Sequence, residues 1–371
     1  MSFNPAVYYN ALPKLPPLSE IETKEVLKAC LDATRALAEL KGCVRMLPDQ
    51  SILINSIPLQ EARISSEIEN IVTTQDRLFE ADLRQKASLL SGKELDDAGI
   101  DPATKEVLNY RAALRYGFEE MKVRPFGMRL IRDVCSVLRK QSVQFRGYGN
   151  NVALKNPSSG EIKYTPPEGG DVLLDKLEEL EDYCLNYTGH DSLIKMALMH
   201  YQFECIHPFD DGNGRAGRIM NILYLIHERL LDLPVLYLSR FIIENKSDYY
   251  RLLRSVTEKG EWEAWVLYML KGVTETAKLT ELRVNEISDL FEKTCTMVRE
   301  RAPKIYTKEL IEVIFRQVYC RVDFLIRENI AKRQTAMRYL KELVHLGILE
   351  EHKRGRDKIY INIGLVDILR R

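Results

Sequence analysis

The chain carries no net charge: 54 Lys and Arg balance 54 Asp and Glu over 371 residues. A neutral chain offers no bulk attraction to nucleic acid or to an anionic membrane surface. Cysteine pairing is missing too. The seven cysteines (Cys30, Cys43, Cys135, Cys184, Cys205, Cys295, Cys320) are scattered, odd in number and form no Cys-x-x-Cys pair. That argues against a disulfide framework or a zinc ribbon and for reduced thiols in the cytoplasm. No apolar run approaches a membrane span. The first residues, MSFNPAVYYNALPKLPPL, lack both the basic start and the apolar stretch of a secretory signal. Internal repeats and low-complexity tracts are absent. What is present is 45% hydrophobic and 29% charged residues, enough for the cores of two or three domains.

The N-terminal segment is Pro-rich (Pro5, Pro13, Pro16, Pro17), which predicts an extended path over a surface. Helical periodicity begins after Ser19, where Val26, Leu27, Cys30, Leu31, Leu37 and Leu40 recur at i, i+3, i+4 spacing. A short apolar stretch, Ile52–Ile57, precedes a helical run expected from about Ser65 to Leu90. Asp101–Pro102 reads as an acidic cap with Pro in the first turn, and Pro125 as the start of another helix. One hairpin is expected over 152–170, with Asn156–Gly160 as its turn and Ile162, Lys163, Tyr164 and Thr165 as a strand. SLIKMALMHYQFECI is apolar on more than one face and predicts a buried central helix. Further helices follow, so the body is mainly α.

The last 70 residues or so have another rhythm. Three short helices precede two strands around an Arg354–Gly355–Arg356 turn, the order of a winged helix-turn-helix. From Arg301 onward there are 16 basic against 9 acidic residues, which suits an anionic partner. Arg333, Gln334, Thr335 and Arg338 on the third helix, with Lys353, Arg354 and Arg356 on the wing, suit phosphate and base-edge contacts to DNA. Protein contact or dimerisation through the same face is the alternative.

The chemistry is concentrated in His207-Pro208-Phe209-Asp210-Asp211-Gly212-Asn213-Gly214-Arg215-Ala216-Gly217-Arg218. Three glycines and an Asn between two apolar helices can aim backbone N–H groups into an anion nest at a helix start. Arg215 and Arg218, three apart, are neighbours on that helix and suit a polyphosphate. Asp211 is a hard oxygen ligand for a phosphate-bridging Mg²⁺. His207 can take a hydroxyl proton at neutral pH. Together they describe nucleotidyl or phosphoryl transfer. Gly212-x-Gly214-x-x-Gly217 also fits the dinucleotide fingerprint, but a helix and not a strand precedes it. A zinc reading of His200, His207, Asp210 and Asp211 fits no familiar spacing.

This stretch resembles the Fic signature, H-P-F-x-[DE]-G-N-G-R-x-x-R, at every fixed position, and the likeness extends in element order from about Ser19 to Lys278. The resemblance implies a helical Fic/Fido core (111–285) with a β-hairpin flap (152–170), an N-terminal helical region (1–110) and a winged helix-turn-helix domain (286–371). It implies transfer of AMP from ATP to a Ser, Thr or Tyr hydroxyl of a target protein, or of the enzyme itself. In that reaction His207 is the base, Asp211 holds Mg²⁺, and Gly212, Asn213 and Gly214 form the anion hole. Arg215 and Arg218 hold the outer phosphates, and Phe209 anchors the loop. Tyr250, and with it Tyr249, lies at the adenine site by the same resemblance; core packing is the plain alternative for both. Thr257 stands where the family often has Asn. The flap strand Ile162–Thr165 would seat an extended target segment. Ser65, Glu69 and Asn70 match the family's inhibitory motif, so Glu69 is expected to pair with Arg218 and restrain the enzyme. Ser66-x-x-Glu69 reads equally as a capping box that starts a helix. A homodimer is implied by the family alone. Another nucleotide donor, removal of AMP, or a DNA-binding regulator with a vestigial core are the alternatives.

Overall fold

Residues 3–91, 99–155, 159–354 and 357–370 are described by a computed structural model of the chain. Residues 3–23 follow an irregular path that delivers Leu12 and Ile21 to the core. Helix α1 (Lys24–Met46) starts where the Thr23 hydroxyl accepts the Val26 N–H at 3.2 Å, a side-chain cap for an otherwise unpaired donor.

The next element departs from the expectation. The apolar stretch at Ile52 and the segment after it form one helix, α2 (Ser51–Ile68), so residues 65–68 end a helix and do not begin one. The stop is a Schellman motif. Asn70 turns left-handed at φ 65°, its N–H donates to Glu67 C=O at 3.0 Å, and Ile71 N–H reaches back to Ser66 C=O at 3.0 Å. Asn tolerates this conformation better than most residues. The Ser66–Glu69 spacing is therefore not a capping box, and α3 (Gln75–Ser91) begins separately after the break.

Helix α4 (Pro102–Glu120) starts as read: Asp101 accepts the Thr104 N–H at 3.0 Å and Pro102 fills the first turn. Helix α5 (Met128–Arg139) starts three residues after Pro125. Gly127 is still extended, and the Glu181 carboxylate caps Met128 N–H at 2.7 Å from outside. Strands β1 (Leu154–Lys155) and β2 (Ile162–Tyr164) form the antiparallel hairpin, with Leu154 opposite Tyr164. Positions 156–158 of its expected turn lie outside the described residues. Helix α6 (Asp171–Asn186) leads to α7 (Ser192–Ile206), which is buried along nearly its whole length, as its all-round apolarity requires. Helices α8 (Asn213–His227), α9 (Leu238–Glu244), α10 (Lys246–Lys259) and α11 (Trp262–Arg301) complete the body.

Helix α11 runs unbroken for 40 residues, so the boundary expected at 285/286 falls inside it; likewise α4 spans the boundary at 110/111. Beyond α11, α12 (Lys308–Arg316), β3 (Tyr319–Cys320), α13 (Val322–Arg327), α14 (Arg333–His345), β4 (Leu349–Arg354), β5 (Asp357–Asn362) and α15 (Ile363–Arg370) follow. The expected three helices and hairpin are present; β3 and α15 are additions, and the sheet order is β3-β5-β4. Ala336, Leu340 and Leu343 face inward from α14, while Arg333, Gln334 and Arg338 are exposed and Thr335 is half-buried. The Arg354 side chain and residues 355–356, where the wing turn is expected, lie outside the described residues.

Candidate active site

The loop joining α7 to α8 is built from its ends inward. Phe209 is fully buried and stacks on Phe145 with ring centroids 5.6 Å apart. The Asn213 side chain closes the loop on itself, accepting Phe209 N–H at 2.8 Å and donating to Phe209 C=O at 2.7 Å. Asn213 therefore shapes the loop with its side chain and offers an anion only its backbone N–H. Gly212 turns left-handed at φ 86° and gives α8 no side-chain cap, which leaves the positive end of that helix facing the loop.

His207 caps α7 in the left-handed region, φ 49°, a costly conformation for a residue with a Cβ. Arg146 holds it there. Its guanidinium is buried and donates to the carbonyls of His207 at 2.8 Å, Ile206 at 3.1 Å, Pro167 at 2.9 Å and Asn150 at 3.3 Å. One side chain thus ties the loop to the base of the flap. Burial, and secondarily the Arg146 charge, push the His207 imidazole down to about 4, so it is neutral at physiological pH. Its Nδ1 lies 3.4 Å from Glu204 C=O.

Arg215 and Arg218 are both buried on α8. Glu69, at the end of α2, sits between them: Oε1 is 2.8 Å from Arg218 Nη2 and Oε2 is 2.8 Å from Arg215 Nε. Ser65 completes the clamp on Arg218, its hydroxyl accepting from Nε at 2.7 Å and its carbonyl from Nη2 at 2.9 Å. The carboxylate can come this close because Gly214 has no side chain; a Cβ there would lie 2.7 Å from Glu69 Oε1. Lys246 caps the same helix end, donating to Ile68 C=O at 2.6 Å. Farther in, Glu61 fixes α2 by accepting Ser239 N–H and Tyr110 O–H, both at 3.1 Å. Arg215 is held by two more carboxylates, Glu106 by direct pairing and Asp211 at 3.7 Å. Asp211 also pairs with Arg139, yet its side chain stays 55% exposed. A half-exposed carboxylate at the loop surface fits Mg²⁺, which keeps several waters and takes one or two protein ligands.

The tyrosine pair divides. Tyr249 is packed into the core, with its hydroxyl 2.8 Å from His200 Nε2 and its ring 5.6 Å from Trp265. It is not free to meet a base; Tyr250, 50% exposed, is. Thr257 is spent internally on Tyr201 O–H at 2.9 Å. His200 is buried away from the loop surface, so the zinc grouping with His207, Asp210 and Asp211 does not form, and among the described residues no cluster of three or more His, Cys, Asp and Glu suited to a metal is found.

The flap strand is less open than expected. Ile162 is half-buried and Lys163 exposed, but Tyr164 and Thr165 are covered by the chain's own first residues. Phe3 stacks on Tyr164 at 6.0 Å, and the Thr165 hydroxyl donates to Pro5 C=O at 2.7 Å.

Sequence reasoning missed Arg139, Arg146, Glu106, Glu61, Glu204 and Lys246. Arg146 and Glu106 act on partners 61 and 109 positions away, and no local pattern surrounds either. Glu204 alone left a trace, as a lone acid in an apolar helix. Its Oε1 is buried without a partner, and burial pushes it up to about 7.

Three stretches match described families: residues 27–119 the N-terminal part of the Fic/DOC family, 132–225 the Fic/DOC family itself, and 290–365 the C-terminal domain of SoFic-like protein adenylyltransferases. A protein adenylyltransferase of Caenorhabditis briggsae is 32% identical over 113 residues, 29% of this chain and 20% of that protein. A probable protein adenylyltransferase of Aquifex aeolicus is 31% identical over 96 residues, 26% of this chain and 27% of that protein. The chain thus spans only about a quarter, or less, of these relatives' length. In fold, it is similar to a Fic family protein of Desulfovibrio desulfuricans, with TM-score 0.57, 18% identity and coverage of 94% and 98% of the two chains. A Fic domain protein of Bacteroides thetaiotaomicron gives 0.50 at 17% identity over 68% of this chain and 95% of that one.

Proposed function

The chain belongs to the Fic/DOC family, and from that premise we propose that it is a protein adenylyltransferase restrained by Glu69. One observation carries the reading: the Glu69 carboxylate lies between Arg215 and Arg218 at 2.8 Å from each, where the outer phosphates of ATP would sit. In the proposed reaction His207, neutral at physiological pH, takes the proton of a Ser, Thr or Tyr hydroxyl as its oxygen attacks the α-phosphorus. Asp211 would hold Mg²⁺, which when bound offsets the charge of the phosphates. The N–H groups at the start of α8 would receive the charge that builds on the transferred group; in other enzymes, loss of one such donor costs about 2.7–4 kcal/mol. Tyr250 would flank the adenine.

Glu69 mimics the anion. While it pairs with Arg218, the γ-phosphate lacks its guanidinium and the α-phosphate is set badly for in-line attack. Such misplacement slows a reaction on the order of a hundredfold. Seven unpaired thiols suit a reducing cytoplasm. The test is incubation with α-labelled ATP and a cell lysate. Glu69→Gly should label proteins strongly, wild type weakly and His207→Ala not at all. Equal labelling by wild type and Glu69→Gly removes the restraint from the account. Labelling that survives His207→Ala removes the mechanism.

A further inference from the structure

The surface that would seat the acceptor is occupied by the chain itself. Tyr8 and Tyr9 lie between two turns, closed by Val7 N–H to Asn4 C=O at 3.2 Å and Leu12 N–H to Tyr9 C=O at 3.0 Å, and belong to no helix or strand. Tyr9 N–H donates to Thr165 C=O at 3.1 Å, directly after β2. The Thr165 hydroxyl donates to Pro5 C=O at 2.7 Å, and Glu168 N–H donates to Asn10 Oδ1 at 2.9 Å. The segment therefore docks on both sides of the tyrosine pair, with a backbone bond of the kind used in strand addition.

Tyr9 turns into an aromatic cluster, its ring 5.3 Å from Phe3 and 6.1 Å from Tyr164. Tyr8 hydrogen-bonds instead through its hydroxyl to Asn151 Oδ1. The neighbouring Asn150 donates from its side chain to Asp210 and gives its carbonyl to Arg146, the residue that carries the His207 carbonyl. The Tyr8 hydroxyl is thus held against the framework of the His207 loop. Tyr8 and Tyr9 are the only hydroxyl side chains in residues 3–18, and Tyr9 is committed to packing.

We infer that Tyr8 is an acceptor for the chain's own transfer reaction, modified in cis while residues 3–13 lie on the flap; the inference rests on the function proposed above. The Tyr8 oxygen forms a bond to the α-phosphorus of ATP, the α–β phosphoanhydride bond breaks, pyrophosphate leaves with its electron pair, and the phenolic proton passes to His207. The product is a tyrosyl phosphodiester of AMP.

The full chain carrying Glu69→Gly is incubated with ATP, and the tryptic peptide ending at Lys14 is sequenced by tandem mass spectrometry. The expected result is one AMP on Tyr8, formed at a rate unchanged by dilution of the protein and lost when His207→Ala is added. Tyr8→Phe should remove the label from that peptide while the same variant still labels lysate proteins. A Glu69→Gly chain that labels lysate proteins but leaves Tyr8 bare, labels Tyr9 instead, or slows in proportion to dilution overturns the inference and leaves the proposed function standing. A chain that labels neither itself nor lysate proteins overturns both.

Discussion

The two sides of the candidate site are both filled by the chain itself, but with opposite materials. On the nucleotide side the filler is charge: Glu69, Glu106 and Asp211 surround two buried guanidinium groups. On the acceptor side it is aromatic rings and a few hydrogen bonds from half-buried residues. The difference governs what can displace each. Removing a carboxylate from a largely buried pair leaves uncompensated charge, a loss of about 3–5 kcal/mol when burial is complete, so only another anion can take the place of Glu69. On the acceptor side a competing segment trades hydrogen bond for hydrogen bond, each with a net worth of about 0.5–1.5 kcal/mol. Under the proposed function, one side would be a lock that answers to phosphate and the other an exchange surface.

Five measurements probe that contrast, in falling order of effect. His207→Ala in the Glu69→Gly background should lower transfer by about 10²–10⁴-fold, the usual worth of a positioned base, with ATP binding retained in calorimetry. Glu69→Gly alone should raise transfer on the order of a hundredfold over wild type and lower Tm, with ATP restoring it as the phosphates take over from the carboxylate. Arg146→Lys keeps the charge but not the fork that reaches four carbonyls, so kcat should fall about tenfold while the KM for ATP barely moves; an unchanged kcat would mean that the flap and loop hold their places without it. Phe3→Ala with Tyr9→Ala should loosen the acceptor side alone, reducing the acceptor KM by up to about tenfold and leaving the Glu69 restraint intact in the same assay. Smallest is the C-terminal module. Arg333→Ala with Arg338→Ala should weaken retention of duplex DNA in a gel shift at low salt, a loss that disappears as salt rises.

Acid adds a further discriminator. Burial, aided by Arg146, pushes His207 down to about 4, and the Glu69 charge opposes that shift, so the acid limb of kcat/KM for Glu69→Gly should lie at or below about pH 4, well under the 6.5 of an ordinary histidine. For stability the sign follows from proton counting. A histidine with a lowered folded value contributes fully above about 6.5, and that contribution is lost as pH falls, because the unfolded chain gains the proton first. His200, pushed down to about 3, acts the same way. Glu204, pushed up to about 7 by burial, and Glu61, pushed up to about 6, act in reverse. Their contribution is present below 4.5 and lost as pH rises toward neutral. The two pairs oppose each other across this range, so Glu204→Gln should tilt the Tm profile toward loss in acid.

The loop chemistry was legible in the sequence because it is contiguous: His207, Asp211, Arg215 and Arg218 need only the local path of one loop and one helix to come together. The mainly helical body was legible for the same reason, since periodicity is local. Glu69 was reachable only through family resemblance, and the direction of its helix was misread. Ser66 and Glu69 satisfy the spacing of a helix start, while the deciding residue, Asn70, acts through a left-handed turn that spacing does not reveal. Arg146, Glu106 and Lys246 were invisible, because each acts on a distant part of the chain with no pattern of its own. The Pro-rich first residues lie on a surface as expected, but along an irregular path with turns and not an extended one; that the surface is the flap depends on tertiary structure.

Helix α11 has a mechanical consequence. It begins among the rings beneath the site, where Trp265 donates to Ala197 C=O at 2.8 Å and stacks on His200. It ends against the last module, with Phe291 on Phe315 at 5.1 Å. Forty residues of helix make a strut of about 60 Å. The rings beneath the candidate site and the last module therefore share one continuous rod, with no joint between them.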